Sequence, residues 1–338
     1  MPSQKEIAQR LGVHVTLVSK VLSGRMGTSG VSDALADRIR ATAREMGYRK
    51  NQNAAGLRGG RQNVVAAAID RRMGIAGSGI VESLVAGVSH GAVAHEQRQV
   101  MAFFDSIDAF RRIAATLNPG MADGLVLAGL RPDELLDDVR RLRERGLPVV
   151  TIFNPDFGDG IPNVRMCDAE IIRLATAHLI DRGRRRILHV SCSRPHERGY
   201  HDAHRDAGLP VDERLVFYDL QPEVNFTREQ GEAAISKIVE GGVSFDAVCA
   251  QSDMQALGAL HALMRRGIDV PRQVMITGVD NSPLAREAFV ALTSVDQQFE
   301  QRATMAVDLL DDLVAGKEVA SPTVEPRLVV RASTTRAG

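Results

Sequence analysis

The sequence predicts a small helical head joined to a larger α/β body built on parallel strands, and three observations predict it. Apolar residues recur at helical spacing over the first 48 positions. From Val64 onward, short apolar runs alternate with amphipathic stretches. Charge divides along the same line: residues 1–61 carry eleven Lys/Arg against four Asp/Glu, a balance of +7, and the rest carries 31 against 38, a balance of −7. A basic head on an acidic body points to different partners for the two parts, a polyanion for the head. The 338 residues, 44% hydrophobic and 25% charged, suffice for two or three compact units with ordinary cores.

The head reads as three helices. Ser3 and Glu6 have capping-box spacing, in which each side chain satisfies a backbone donor left open at a helix start. Ile7, Ala8 and Leu11 share one face, and Gly12 ends that helix. Val18, Val21 and Leu22 form a second face. Leu35, Ile39, Ala43 and Met46 form a third, behind Ser32 as N-cap and before Gly47 as stop. Residues 49–62, RKNQNAAGLRGGRQ, are polar and basic and read as a linker.

In the body, apolar runs lie at 64–69, 100–104, 124–129, 148–153, 186–191, 215–220, 247–252 and 274–280. Amphipathic stretches between them include 132–145, 168–182, 253–266 and 298–315. Strands separated by helices indicate parallel sheet covered on both faces. Eight strands fit either one closed barrel or two doubly wound sheets.

Several classes are excluded or set aside. No apolar run approaches the roughly 18–20 residues needed to cross a bilayer. The segment MPSQKEIAQR has no signal-like apolar core, so the expected location is the cytoplasm. Cys167, Cys192 and Cys249 are too few and too scattered for a disulfide framework or a thiolate zinc site. His201 and His204 lie three apart without a completing ligand set, and no metal or other cofactor is expected. Gly74 to Gly79 lacks the third glycine of a dinucleotide loop, because Glu82 stands in its place.

Residues 4–22, QKEIAQRLGVHVTLVSKVL, have helix-turn-helix spacing. Ala8 lets the second helix cross closely, Gly12 permits the turn, and Ile7, Val13, Val18 and Val21 fill the shared core. The outward polar positions are those a recognition helix presents to a major groove.

In these residues the chain resembles the LacI/GalR family of bacterial transcriptional regulators. The resemblance continues through MGYRKNQNAAGLRGGRQN, ADGLVLAG (122–129), ATAHLIDRGRRRILHVS (175–191), SDMQALGALHALMRRGIDVP (252–271), VMITGVDNS (274–282) and LTSVDQQF (292–299). It implies a helix-turn-helix domain at 1–48, a hinge at 49–62, and a periplasmic-binding-protein-like body at 63–338 with two doubly wound parallel-sheet subdomains. The N-subdomain would take 63–163 and 297–325, and the C-subdomain 164–296 and 326–338.

The resemblance places base reading on Val15, Thr16 and Lys20, and phosphate contacts on Ser3, Ser19 and Ser23. It makes Asn51 to Gly59 a hinge helix, with Asn51 at its start and Leu57 as a minor-groove wedge. The chain departs from the pattern in places. Lys20 stands where Arg is usual, which removes a planar bidentate fork. His14 replaces a capping Ser, Lys50 replaces a Pro, and the 24–30 loop is longer than usual.

For the effector the resemblance points to Asp280, Ser252 and Asp253 at strand ends and to Phe299 at an aromatic position that lines the pocket; after the first strand the usual Asn-Pro-aromatic turn is absent and Asp70 stands there instead. His196 replaces a ligand-gripping Arg and is flanked by Arg194 and Arg198. Arg71 or Arg72, were either to face the cleft, would favour an acidic effector such as a sugar acid; interface or solvent positions are the alternative. The function expected is a sequence-specific, homodimeric DNA-binding regulator, a repressor controlled by a sugar or sugar derivative in an interlobe cleft. A pseudo-palindromic operator is its expected target. Control by a partner protein is the alternative, followed by a DNA-binding enzyme acting on a sugar; no acid–base pair or phosphate loop supports an enzyme.

Overall fold

The computed structural model describes residues 2–23, 31–48, 61–74, 78–191, 194–218 and 226–335, the side chains of 23 and 194–196 excepted. The chain divides into two units, 1–62 and 63–338.

In the first unit, α1 (Gln4–Leu11) starts at the Ser3–Glu6 capping box and ends at Gly12, whose φ of 65° is left-handed. Helix α2 (Val15–Ser23) follows after a short turn. Helix α3 (Asp33–Glu45) is capped by the Ser32 hydroxyl, which accepts from Leu35 N. Ile7, Ala8, Val18, Val21, Ala36, Ile39 and Ala43 are buried together, with Val13, Leu35 and Met46 packed around them. Seven buried apolar side chains make a small core, so the caps at Ser3 and Ser32, worth ~1 kcal/mol each, are a substantial part of this unit's stability.

The second unit has two open sheets, which rules out a closed barrel. The first contains β1 (Val64–Asp70), β2 (Arg98–Phe104), β3 (Gly124–Ala128) and β4 (Val149–Ile152) in the order β2-β1-β3-β4, all parallel. Helices α4 (Ile80–Ala94), α5 (Ile107–Thr116) and α6 (Pro132–Glu144) connect them. The second sheet contains β5 (Ile187–Ser191), β6 (Val216–Tyr218), β7 (Ala247–Ala250), β8 (Met275–Val279), β9 (Thr293–Asp296) and β10 (Arg327–Val329). Its order is β10-β9-β8-β7-β5-β6, and β10 alone runs antiparallel to its neighbour. Helices α7 (Asp168–Asp181), α8 (Arg194–Asp206), α9 (Arg228–Glu240), α10 (Asp253–Arg265) and the short α11 (Pro283–Glu287) cover it.

All eight apolar runs became strands, but β9 and β10 were not among them. Both are short and rich in polar or charged residues, TSVD and RLV, so an apolar-run criterion passes over them. The chain passes between the sheets three times, after β4, after β9 and before β10. Helix α12 (Phe299–Val314) lies between the last two crossings and packs on α4 of the first lobe.

The helix pairs approach very closely. A Cβ at Gly231 would sit 1.9 Å from the Gln255 carbonyl, and one at Gly258 would sit 1.9 Å from that of Arg228, so α9 and α10 are in backbone contact. On the other lobe, a Cβ at Gly87 would lie 2.1 Å from the Glu300 carbonyl, which joins α4 to α12.

Candidate nucleic-acid interface and interlobe cavity

On α2, burial of Val18 and Val21 turns the opposite side outward. Val15, Thr16 and Lys20 are exposed there, and Ser19 is half-buried. The start of α2 is capped by a ring nitrogen: Thr16 N donates to His14 Nδ1 at 3.4 Å, and the same nitrogen lies 2.7 Å from Thr16 Oγ1. His14 thus replaces a hydroxyl cap and also holds the hydroxyl of a base-reading candidate. Ser3 is exposed, with its Oγ hydrogen-bonded to Glu6.

Within the second unit, the C-terminal ends of the strands converge on a cavity of about 180 Å³, as expected where doubly wound sheets bind ligands. Met73 follows β1, Leu130 follows β3, Asn154 follows β4, Ser252 follows β7, Asp280 follows β8 and Gln297 follows β9. Phe299, Ile80, Phe226 and Met254 add apolar wall.

A hydrogen-bond chain crosses the cavity floor from lobe to lobe. Asn154 Nδ2 donates to Asp168 Oδ1 at 2.5 Å and to Gln297 Oε1 at 3.2 Å, and Gln297 Nε2 donates to Asp280 Oδ1 at 2.7 Å. Asp280 has φ 105° and Asn281 has φ 51°, two consecutive non-glycine residues in the left-handed region. Such backbone is costly and is held by its surroundings, here by Asn281 N donating to Ser294 Oγ at 2.9 Å. Burial pushes the Asp280 carboxyl well above the usual carboxylate range; the nearby Asp253 adds to this, and the Gln297 amide opposes it. Asp253, only 1% exposed, is raised to about 6 by burial, against the hydrogen bonds it receives, including Ser282 N at 2.7 Å.

The residues that match known proteins extend over both units. A family model described as periplasmic binding protein-like domain matches residues 176–334. A curated relative, the HTH-type transcriptional regulator CelR of Thermobifida fusca, is 30% identical over 98% of both chains. A solved CelR–cellobiose complex superposes with a TM-score of 0.71 at 28% identity, covering 98% of this chain and all of that one. A LacI-family regulator from Sanguibacter keddieii is 30% identical, covers 81% of this chain and 99% of its own, and has a TM-score of 0.66. The chain belongs to the LacI family. It is a DNA-binding transcriptional regulator. The lac repressor dimer bound to operator, at 19% identity and TM-score 0.80, shows the same fold over 99% of both chains.

Within this LacI-family body, the candidate effector residues separate into three groups. Asp280, Ser252 and Phe299 line the cavity. The Ser252 hydroxyl is committed: it accepts from Gln255 N to cap α10 and donates to the Phe226 carbonyl at 3.2 Å. Asp253 lies behind the wall. Asp70 and Arg198 are not brought into it. Asp70 is fully buried and gripped by Arg72, whose Nε and Nη2 approach its oxygens at 2.9 and 2.8 Å. Arg198 stands in solvent, 80% exposed, 3.7 Å from Asp202. The His196 side chain, the Ser23 side chain, Asn51 and Leu57 lie outside the described residues.

Arg71 and Arg72 do not supply a site for an acidic effector: Arg72 faces Asp70 and Glu134, Arg71 is exposed, and neither lines the cavity, while the side chains of Arg194 and His196 lie outside the described residues. Among the described lining residues the acidic or basic ones are both carboxyl side chains, Asp168 and Asp280. Sequence reasoning missed Asp168, Gln297, Met73 and Leu130 as site residues. Each follows a strand end or starts a helix, and Gln297 lies inside the LTSVDQQF segment, so the strand-end rule points to the region but not to which side chain turns inward.

Proposed function

We propose that this regulator is a homodimeric repressor whose hold on a pseudo-palindromic operator is set by a neutral sugar in the interlobe cavity. One nine-residue recognition helix spans too few base pairs for useful specificity, and two copies on paired half-sites multiply it. Val15, Thr16 and Lys20 read bases, Ser19, Ser23 and Ser3 meet phosphates, and the segment holding Asn51 and Leu57 enters the minor groove between half-sites. The protein works in the cytoplasm as a regulator and not as an enzyme.

The observation that carries the reading is the Asp168–Asn154–Gln297–Asp280 chain. It supplies carboxylate and amide groups that match sugar hydroxyls, and it joins both lobes to a crossover. A ligand that takes over these hydrogen bonds has different affinity for different lobe arrangements, which is what a switch requires. Phe299 and Met254 offer apolar surface to the C–H face of a ring. The cellobiose complex of CelR is consistent with a ligand of this class.

The test is selection of a duplex from random sequence, followed by operator titration with a panel of neutral sugars, sugar acids and sugar phosphates. A neutral sugar should change operator affinity and raise the melting temperature, and Asp280→Ala should abolish both responses while ligand-free operator binding stays intact. A response confined to sugar acids or phosphates, or one that survives Asp280→Ala, would overturn the reading.

A further inference from the structure

We infer that His14 sets what Thr16 reads. By holding the Thr16 hydroxyl it leaves that oxygen as an acceptor only, and this position of the recognition helix then selects adenine or cytosine and rejects guanine and thymine. The inference rests on the reading of Thr16 as a base contact and deepens it.

The hydrogen positions follow from what lies against the imidazole. Thr16 N donates to His14 Nδ1 at 3.4 Å. A backbone N–H can only donate, so Nδ1 presents its lone pair, and the ring hydrogen of the neutral imidazole is on Nε2. The Thr16 hydroxyl lies 2.7 Å from the same Nδ1. Facing a lone pair it donates, and its one hydrogen is spent there. A threonine inside a helix commonly spends that hydrogen on a carbonyl three or four residues back. Thr16 is the second residue of α2, however, and the carbonyls of Val13 and Gly12 precede the helix. What Thr16 Oγ1 has left to offer is lone pairs, on a side chain that is exposed.

The major-groove edges of the bases meet such an oxygen in two ways. Adenine N6 and cytosine N4 donate, whereas guanine O6 and N7 and thymine O4 accept. An acceptor-only hydroxyl bonds the first pair and sets lone pair against lone pair with the second. A hydroxyl free to turn contacts either kind and discriminates little. A serine at 14 would leave that freedom in place, because its oxygen lies one bond closer to the backbone and its own hydroxyl can donate as well as accept. His14 thus converts an adaptable side chain into a reader of amino groups, and does so with the same nitrogen that caps the helix.

The test is selection of duplexes from random sequence by the full-length protein and by Thr16→Val, His14→Ala and His14→Asn, followed by competition among the four bases at the affected position. Thr16→Val keeps the shape and removes the hydroxyl, so the base pair whose preference it changes is the one Thr16 faces. There the wild-type protein should favour adenine or cytosine over guanine and thymine by about ten-fold, and Thr16→Val should cut this to about two-fold or less. His14→Ala frees the hydroxyl and should do the same. His14→Asn, whose Oδ1 takes the place of Nδ1 as cap and acceptor, should keep the preference. The ratio between bases is the readout, since loss of a cap alone weakens binding to every duplex alike. Unchanged base preferences in Thr16→Val overturn both the base-contact reading and the inference. A wild-type preference for guanine or thymine at that position overturns the inference and leaves the base contact standing. An amino preference that His14→Ala retains, or that both His14 variants lose, overturns it as well.

Discussion

Replacing Asp253 by Asn should make the body more stable at neutral and alkaline pH and remove part of its pH dependence. Asp253 is buried at the base of α10, and its carboxyl titrates at about 6 instead of 3.8. Between those values the folded chain holds a proton that the unfolded chain has released, so stability falls as pH rises from ~4 to ~6 and levels off above. At ~1.36 kcal/mol per unit, the shift corresponds to ~3 kcal/mol withheld at pH 7 and above. Asn keeps an acceptor for Ser282 N. Its amide, however, takes the place of Oδ1, which faces Gly278 and has no hydrogen-bond partner among the described residues. An unmet donor costs ~1 kcal/mol or more, which leaves a gain of ~1–2 kcal/mol, or a rise of several degrees in melting temperature. Thermal unfolding followed by circular dichroism between about pH 4 and about pH 8 measures it. A difference in midpoint between variant and wild type that does not grow over that interval, or a variant less stable than wild type at the alkaline end, would refute the reasoning.

Three further perturbations act elsewhere. Gly87→Ala places a methyl 2.1 Å from the Glu300 carbonyl and must part α4 from α12; unfolding should show a loss of ~1–3 kcal/mol, and the operator response to effector should weaken by more than effector binding does. Arg302→Met removes a fully buried guanidinium whose Nε and Nη1 have no partner among the described residues, and denaturant titration should find the variant equal or more stable, by up to a few kcal/mol. Lys20→Ala should lower operator affinity by ~1–3 kcal/mol and relax preference at one base pair in each half-site, whereas Lys20→Arg should sharpen it, both read by competition among operator variants.

The head was legible almost residue by residue, because its signals are local. The Ser3–Glu6 box, the Gly12 stop and the Ser32 cap each depend on neighbours within a few positions, and all three are present. The body was legible as strands and helices, but apolar runs alone could not decide between one barrel and two sheets; order within a sheet is a long-range property, and family resemblance supplied what periodicity lacked. The candidate effector site was legible only in part. Asp280 and Phe299 line the cavity. Asp70 also ends a strand, yet Arg72 two residues later folds back on it and fills both carboxylate oxygens. Nothing in the string Asp70-Arg71-Arg72 says whether the arginines face a ligand or the aspartate before them. That depends on the three-residue turn that Asp70 itself caps.

The cavity and the start of the body are connected through tightly packed structure. Gln297 and Phe299 line the cavity, and α12 begins at Phe299. Along its length α12 is held to α4 by near-contact of backbone at Gly87 and by Val307 seated on Gly91, where a Cβ would lie 2.6 Å away. At the far end His95 reaches Asp308 at 2.8 Å, and Gln97 donates to Asp311 at 2.8 Å. Arg98 N then donates to the carbonyl of Asn63, the first residue of the body after the chain leaves the head. Interiors packed this closely shift between discrete arrangements and do not stretch. If the proposed effector rearranges the Asn154–Gln297–Asp280 hydrogen bonds, it acts on one end of a closely packed pair of helices whose other end is bonded to the start of β1, and that is the route by which the proposed function would have a few hydrogen bonds bias operator binding.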